Sequence, residues 1–595
     1  MELLTVENLS FTYATGGEPA LRGASFSLAP GDFALLTGPT GCGKSTLLRL
    51  LKAELAPRGD RQGRIFFRGQ APETMDPRER AAAIAYVAQR PEEQIVTDRV
   101  WHEMAFGLEN LGVPEGEMRR RVAETAQFFG LDEAFELPVD RLSGGQKQLL
   151  NLAAATVMMP ELLLLDEPTS RLDPISADRF LSALERLNRE TGMTILMAEH
   201  RLEGSLSRAN QLMLMENGRI LLQGAPREVC GRPEAWSGPA EDALPAATRL
   251  WHASGGKGIC PLSTGEGRSW IAQTFTSLAM PAQGGTLPAD KMKTGLGEDM
   301  NRQAVSAKQI LGRMNLPWNG ERGGQQTIHA RQTARRRSMP KEDSGNSPEA
   351  LLSMREVHFR FEREGKDILR AVSFRAEEGR ITTLLGGNGS GKTTLLRMGA
   401  GFLRPYSGEI RLFGKRAQAL GREEMRRHGV ALMPQDPQTL FLRASVREEL
   451  KDSGIRPEEA PFGLGNLLDR HPYDLSGGEQ HLLGLAKVLA SGPRLLLLDE
   501  PTSGLDGAWR RKILEVLRTL REEGTGILMV THDAEFAAEA SDRCGLLFHG
   551  QVEPLEEPHA FFAGGSYYMP PAARMIPGCV TVAEAAALLR EASRA

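Results

Sequence analysis

Gly38-Pro39-Thr40-Gly41-Cys42-Gly43-Lys44-Ser45 and, 348 residues further on, Gly386-Gly387-Asn388-Gly389-Ser390-Gly391-Lys392-Thr393 both fit the pattern G-x-x-x-x-G-K-[ST]. Each follows an apolar run of strand character, Phe33-Ala34-Leu35-Leu36 and Ile381-Thr382-Thr383-Leu384-Leu385, and each opens a helical stretch, Thr46-Leu47-Leu48-Arg49 and Thr394-Leu395-Leu396-Arg397. That strand–loop–helix context gives the pattern its meaning. Glycines let successive N–H groups turn toward phosphate oxygens, and the helix N-terminus adds positive potential. Lys44 or Lys392 supplies a charge to the outer phosphates, and the hydroxyl of Ser45 or Thr393 suits Mg²⁺.

The repetition extends well past the loops. Each half continues with a glutamine after a strand (Gln89, Gln435), then Leu142-Ser143-Gly144-Gly145-Gln146 or Leu475-Ser476-Gly477-Gly478-Glu479. Four leucines then lead into Asp166-Glu167 or Asp499-Glu500, followed by a Ser-x-Leu-Asp turn and a histidine after another apolar strand, His200 or His532. Ser143 to Asp166 is 23 residues, as is Ser476 to Asp499, and Asp166 to His200 is 34 against 33 for Asp499 to His532. Glutamine to serine differs, 54 residues in the first half and 41 in the second, over a stretch that reads as helical in both. The halves therefore present different surfaces there. Strands alternating with helical runs predict an α/β fold: two tandem domains, each with a mainly parallel core sheet, an antiparallel β subdomain and a helical subdomain.

The tails are also alike. Pro245-Ala246-Ala247-Thr248-Arg249-Leu250 with Cys260 and Glu266 parallels Pro571-Ala572-Ala573-Arg574-Met575 with Cys579 and Glu584. The first domain with its extension is thus drawn at 1–271 and the second at 350–595. Between them, 272–349 is rich in Gly, Gln, Arg and Ser and reads as a flexible linker; its Arg335-Arg336-Arg337 reads as a solvated charge run, with lipid headgroup contact as the alternative.

Bulk properties narrow the classes. A chain of 595 residues with 41% apolar and 25% charged residues holds more than one globular core. A net charge of −4 and a pI near 6.3 give no global reason to expect nucleic-acid binding. No apolar stretch is long enough to span a bilayer, and the N-terminus reads as a first strand rather than a secretory signal. Five scattered cysteines without metal-ligand spacing fit a reducing, cytoplasmic setting, with Cys42 a small side chain tolerated in the loop.

Loop lysine, glutamine, Leu-Ser-Gly-Gly, Asp-Glu after four leucines, Ser-x-Leu-Asp and histidine, in that order and twice, resemble the ATP-binding cassette (ABC) ATPases. Taken singly these elements have structural readings: an Asp-Glu pair as a helix cap, a packed strand-end histidine. The resemblance implies ATP and Mg²⁺ as cofactors and two domains facing head to tail. One site then joins Lys44 to Ser476 and Gly478, and the other joins Lys392 to Ser143 and Gly145, a pairing that tandem fusion favours through high effective concentration. It implies Glu167 and Glu500 as general bases, and Asp166 and Asp499 with Ser45, Thr393, Gln89 and Gln435 around the metal. His200 and His532 reach the outermost phosphate, and Tyr13 and Phe361 stack on adenine. Both halves retain the lysine, the glutamate base, the histidine and the signature serine, so two hydrolytic sites are expected; Arg171 in the first Ser-x-Leu-Asp turn and Glu479 depart from the family pattern.

Gln89-Arg90-Pro91-Glu92-Glu93-Gln94-Ile95-Val96, with Gln435-Asp436-Pro437-Gln438 as its shorter counterpart, is similar to the segment after the glutamine in energy-coupling-factor (ECF) importer ATPases. That similarity implies a peripheral subunit at the cytoplasmic face of the cell membrane. Its partners would be an integral membrane coupling subunit and a small solute-binding membrane subunit, importing a vitamin, a vitamin precursor or a transition-metal ion. The alternative is a soluble tandem cassette protein acting on ribosomes or DNA. The Gly-rich linker, without a long helical period, and the cysteine pattern count against it.

Overall fold

The computed structural model describes residues 2–14, 16–236, 238–275, 350–420, 425, 429–563, 565 and 568–594. The expected linker, with its Arg335-Arg336-Arg337 run, lies outside the described residues from 276 on. The helix Thr264–Thr274 runs through the boundary drawn at residue 271.

In the first half, parallel strands lie in the order Ile84–Val87, Leu162–Asp166, Thr194–Ala198, Phe33–Thr37, Gln211–Glu216, with Arg219–Gly224 antiparallel at one edge. The second half repeats this with Val430–Met433, Leu495–Asp499, Gly526–Thr531, Ile381–Leu385, Arg543–Phe548 and Gln551–Val552. All four leucines before each Asp-Glu are buried, as a parallel sheet covered on both faces requires. A separate antiparallel sheet centres on Leu4–Tyr13 in one half and Ala350–Phe359 in the other. The phosphate loops leave the strands Phe33–Thr37 and Ile381–Leu385 at their carboxyl ends, where open α/β sheets place their ligands.

The helical subdomains differ more than the sequence reading expected. The first contains Val100–Leu111, Glu115–Phe129 and Gly144–Thr156. In the second, Glu115–Phe129 has no α-helical counterpart. Val446–Asp452 gives way to the 3₁₀ turns Pro457–Glu459 and Pro461–Leu467 before Gly477–Leu489. Pro457 and Pro461 lack the N–H that a continuous helix needs, which corrects the expectation of helix in both halves.

The similar tails pack on each other. Ala246–Ala253 and Thr264–Thr274 meet Pro571–Met575 and Val582–Arg594. Leu250, Trp251, Trp270, Met575 and Leu589 share one core. Gly267 permits the approach: a Cβ there would lie 2.6 Å from Met575 Sδ and 2.8 Å from Ala247 Cβ. Leu589→Ala is expected to cost about 2–5 kcal/mol, as truncation of a buried leucine does. Thermal unfolding would read this as a lowered Tm against an unchanged Glu591→Ala control on the exposed face.

Candidate active site at two phosphate loops

Each loop enters its helix through a left-handed glycine, Gly43 at φ 108° and Gly391 at φ 103°. A Cβ on Gly43 would lie 2.6 Å from the Ala20 carbonyl oxygen, so only glycine fits both the backbone and the space. Lys44 Nζ folds back to donate to the carbonyls of Gly38 (2.8 Å) and Pro39 (3.2 Å). Lys392 does the same to Gly386 (2.7 Å) and Gly387 (3.1 Å). Thr46 shares a 2.7 Å hydrogen bond with the Tyr13 hydroxyl, bringing that ring to the loop helix. Phe361 is 64% exposed, packed edge-on against Phe359.

The acidic pairs end their strands beside these lysines. Ser45 Oγ donates to Asp166 Oδ1 (2.8 Å) and Tyr86 Oη to Asp166 Oδ2 (3.0 Å). Burial, and then Glu167, push the Asp166 carboxyl upward. Asp499 has Leu432 where Asp166 has Tyr86. Its Oδ1 is buried without a hydrogen-bond partner, and burial pushes its carboxyl up to about 6 despite the Thr393 hydroxyl.

Glu167 and Glu500 both take a left-handed φ of 48°, rare for a side-chain-bearing residue, held by N–H bonds to Ala198 (3.0 Å) and Val530 (2.9 Å) carbonyls. Glu167 Oε1 lies 2.5 Å from His200 Nε2 and 4.0 Å from Lys44, and Oε2 accepts from Gln89 Nε2 (2.8 Å). Glu500 faces Lys392 (3.1 Å) and His532 Nδ1 (3.0 Å). Burial alone would raise both carboxyls, but the neighbouring histidine and lysine outweigh it and hold them below the usual range. Among the described residues Glu500 receives no bond from Gln435, which is exposed.

The two Leu-Ser-Gly-Gly elements form helix starts. Ser143 caps Gly144–Thr156 and Ser476 caps Gly477–Leu489, each in a reciprocal capping box with Gln146 or Glu479. Glu479 thereby does the same capping work as Gln146. Gly478 lies against Trp509, its Cβ position 2.5 Å from the indole, and Gly145 lies against Ser176 at 3.0 Å. Those neighbours are capped by Asp506 and Asp173.

The same aspartates cross between the halves. Asp506 Oδ2 accepts from Thr40 N (2.7 Å), and Asp173 Oδ2 accepts from Asn388 N (3.3 Å). Each Leu-Ser-Gly-Gly helix is thus packed beside the turn that touches the phosphate loop of the other half.

The residues fit ATP and Mg²⁺. Each helix leaves its first-turn N–H groups without intrahelical acceptors beside a buried lysine. Hydroxyl and carboxylate oxygens, including the unpartnered Asp499 Oδ1, suit a hard divalent cation.

Sequence reasoning passed over four residues. Asp173 and Asp506 were visible only as the end of the repeated Ser-x-Leu-Asp, and Tyr86 as a strand residue three before Gln89. Glu199, beside His200, carried no signal. It is buried, accepts from Thr169 N (3.1 Å) and Thr169 Oγ1 (2.7 Å), and burial lifts its carboxyl to about 8.

Comparison with known proteins identifies the family. The ABC transporter family pattern matches residues 21–170 and 369–503. A putative ABC transporter ATP-binding protein of Bacillus cereus (strain ATCC 10987 / NRS 248) is 36% identical over 95% of this chain and 93% of its own length. The putative HMP/thiamine import ATP-binding protein YkoD of Bacillus subtilis (strain 168) is 31% identical over 93% and 92%. A solved structure of cbiO1 from Clostridium perfringens, described as part of the ABC transporter complex cbiONQ, is 32% identical, covers 39% of this chain and 92% of that one, and has a TM-score of 0.36. The chain belongs to the ABC transporter family of ATP-binding proteins. It is an ABC-type ATPase that uses ATP with Mg²⁺.

Glu199 gives a pH signature. A folded-state value near 8 against an ordinary 4.5 means the folded chain keeps a proton that the unfolded chain releases. Its contribution to stability is therefore complete below 4.5 and lost as pH rises through 8. Glu199→Gln is neutral throughout, so the Tm of the variant minus that of the wild type should grow from pH 5 to about 8 and then level off.

Proposed function

We propose that the chain is the ATP-hydrolysing subunit of an ECF-type importer of a vitamin, vitamin precursor or transition-metal ion. In this reading it docks from the cytoplasmic side on an integral membrane coupling subunit that works with a small solute-binding membrane subunit. One observation carries the reading. Seven residues after each glutamine stands an exposed apolar side chain, Val96 (64% exposed) and Leu442 (77% exposed), close in sequence to the carboxylates of Glu92 and Glu93 or Asp436. Apolar knobs beside acidic groups suit an amphipathic basic helix from a partner. The printed name of the YkoD relative, an HMP/thiamine importer, supports the vitamin-precursor class. Among the described residues no helix is long and apolar enough to cross a membrane.

The chemistry assigned to the residues follows their geometry. Phosphate-loop N–H groups with Lys44 or Lys392 would bind the phosphates, and Ser45 with Asp166, or Thr393 with Asp499, would hold the metal. Bound Mg²⁺ would neutralise charge on the outer phosphates. Glu167 and Glu500, kept ionised by their cationic neighbours, take a proton from the attacking water. His200 and His532, beside those carboxylates, would reach the outermost phosphate. Ser143 and Ser476 present helix N-termini to the nucleotide bound by the other half. Arg90, next to Gln89, donates to Gln438 of the second half (2.9 Å), so the two partner-facing segments are joined across the interface.

Glu167→Gln with Glu500→Gln should retain ATP binding and lower turnover by about 10²–10⁴-fold, the usual worth of a general base. Glutamine variants hydrolysing at the wild-type rate would remove those roles. Affinity capture of the full chain from detergent-solubilised membranes should recover a multi-spanning membrane protein. Glu92→Lys with Glu93→Lys should lose both that capture and solute uptake at an unchanged Tm. Recovery of ribosomes instead would overturn the importer reading.

A further inference from the structure

Positions 201 and 533, one after each histidine, are equivalent under the repeat yet carry opposite charges. Arg201 Nη2 of the first half donates to Asp533 Oδ2 of the second at 2.7 Å. Asp533 is buried; its Oδ1 caps the helix Ala534–Ala540 through Phe536 N (3.0 Å) and faces Arg510 (3.5 Å). The Asp533 N–H donates to Thr531 Oγ1 (3.1 Å), and that hydroxyl donates to Glu500 Oε2 (3.0 Å). The His532 N–H donates to the same oxygen (3.2 Å). At the other end, Arg201 adjoins His200, whose ring lies 2.5 Å from Glu167. A continuous polar route therefore joins the turn beside Glu167 to the carboxylate of Glu500.

The mirrored route is not built. Glu199 stands where Thr531 stands and turns its carboxyl group to Thr169. Among the described residues no hydrogen bond runs from that position to Glu167.

We propose that the Arg201–Asp533 ion pair positions Glu500, so that the first half sets the competence of the second hydrolytic site and not the reverse. This rests on Glu167 and Glu500 being general bases. Asp533 is held between Arg201 and Arg510, and loss of Arg201 leaves a buried carboxylate with one cation fewer. The turn that follows Thr531 is then free to shift, and a small displacement of a reacting group is costly in rate. Coupling of turnover, unlike coupling of binding, need not be reciprocal.

The test uses the full chain and single-site backgrounds. In Glu167→Gln only the second site turns over, and adding Arg201→Ala should lower that turnover about tenfold or more. Arg201→Lys in the same background should restore it to within about threefold, because lysine keeps the charge although not the fork. In Glu500→Gln, where only the first site works, Arg201→Ala should change turnover less than about twofold. Equal losses in both backgrounds, no loss in either, or failure of lysine to restore turnover would each overturn the proposal. If neither glutamine variant lowers turnover by itself, it is the general-base reading that fails, a result distinct from the three above. Asp533→Asn, scored in the same two backgrounds, should reproduce the one-sided loss and guards against an Arg201→Ala chain that folds poorly.

Discussion

Two carboxylates at helix starts hold the halves in their working relation. Asp173 Oδ1 accepts from Ser176 N (2.9 Å) and Asp506 Oδ1 from Trp509 N (3.0 Å), each closing its own helix. Each Oδ2 then reaches the phosphate loop opposite, on Asn388 N or Thr40 N. A capping oxygen cannot move without uncapping the helix, so the cross-interface contact inherits the rigidity of the element behind it. Phosphate loop, Leu-Ser-Gly-Gly helix and acidic pair keep their mutual positions because these two residues serve both functions at once.

Around that symmetric frame the two sites are chemically unequal. Asp166 has both oxygens engaged, by Ser45 and Tyr86, whereas Asp499 keeps a buried oxygen open. Glu167 receives Gln89, while Glu500 receives the Thr531 hydroxyl and the His532 N–H. Hydrogen-bonded carboxylates resist repositioning more than unbonded ones, so the first site has the more firmly held aspartate and the second the more firmly held glutamate. Duplication followed by divergence at single strand-end residues is enough to produce this difference. At these strand ends the two halves share the left-handed φ of both glutamates.

A second fastening lies away from the nucleotide sites. The tail helices merge into one apolar layer, and Asp242 of the first tail meets Arg511 of the second half at 2.8 Å. Gly507 makes room, since a Cβ there would lie 1.9 Å from Asp242 Cβ. The interface is thus tied at its rim by the tails and at its centre by Asp173, Asp506 and Arg201–Asp533. Relative motion of the halves is confined to what these ties permit.

What the sequence determined by itself was everything that depends on near neighbours along the chain. The glycine-lysine loops, the four-leucine strands, the serine caps and the order of the elements are fixed by backbone conformations and periodicities within a dozen residues, and each appears twice. Tertiary structure alone decided the pairings between residues hundreds of positions apart: Thr40 with Asp506, Arg201 with Asp533, Leu250 with the tail that carries Leu589. It also made Glu199 a buried acid. Burial and hydrogen-bond choice depend on which surfaces meet in space, and no local pattern around these residues encodes that meeting.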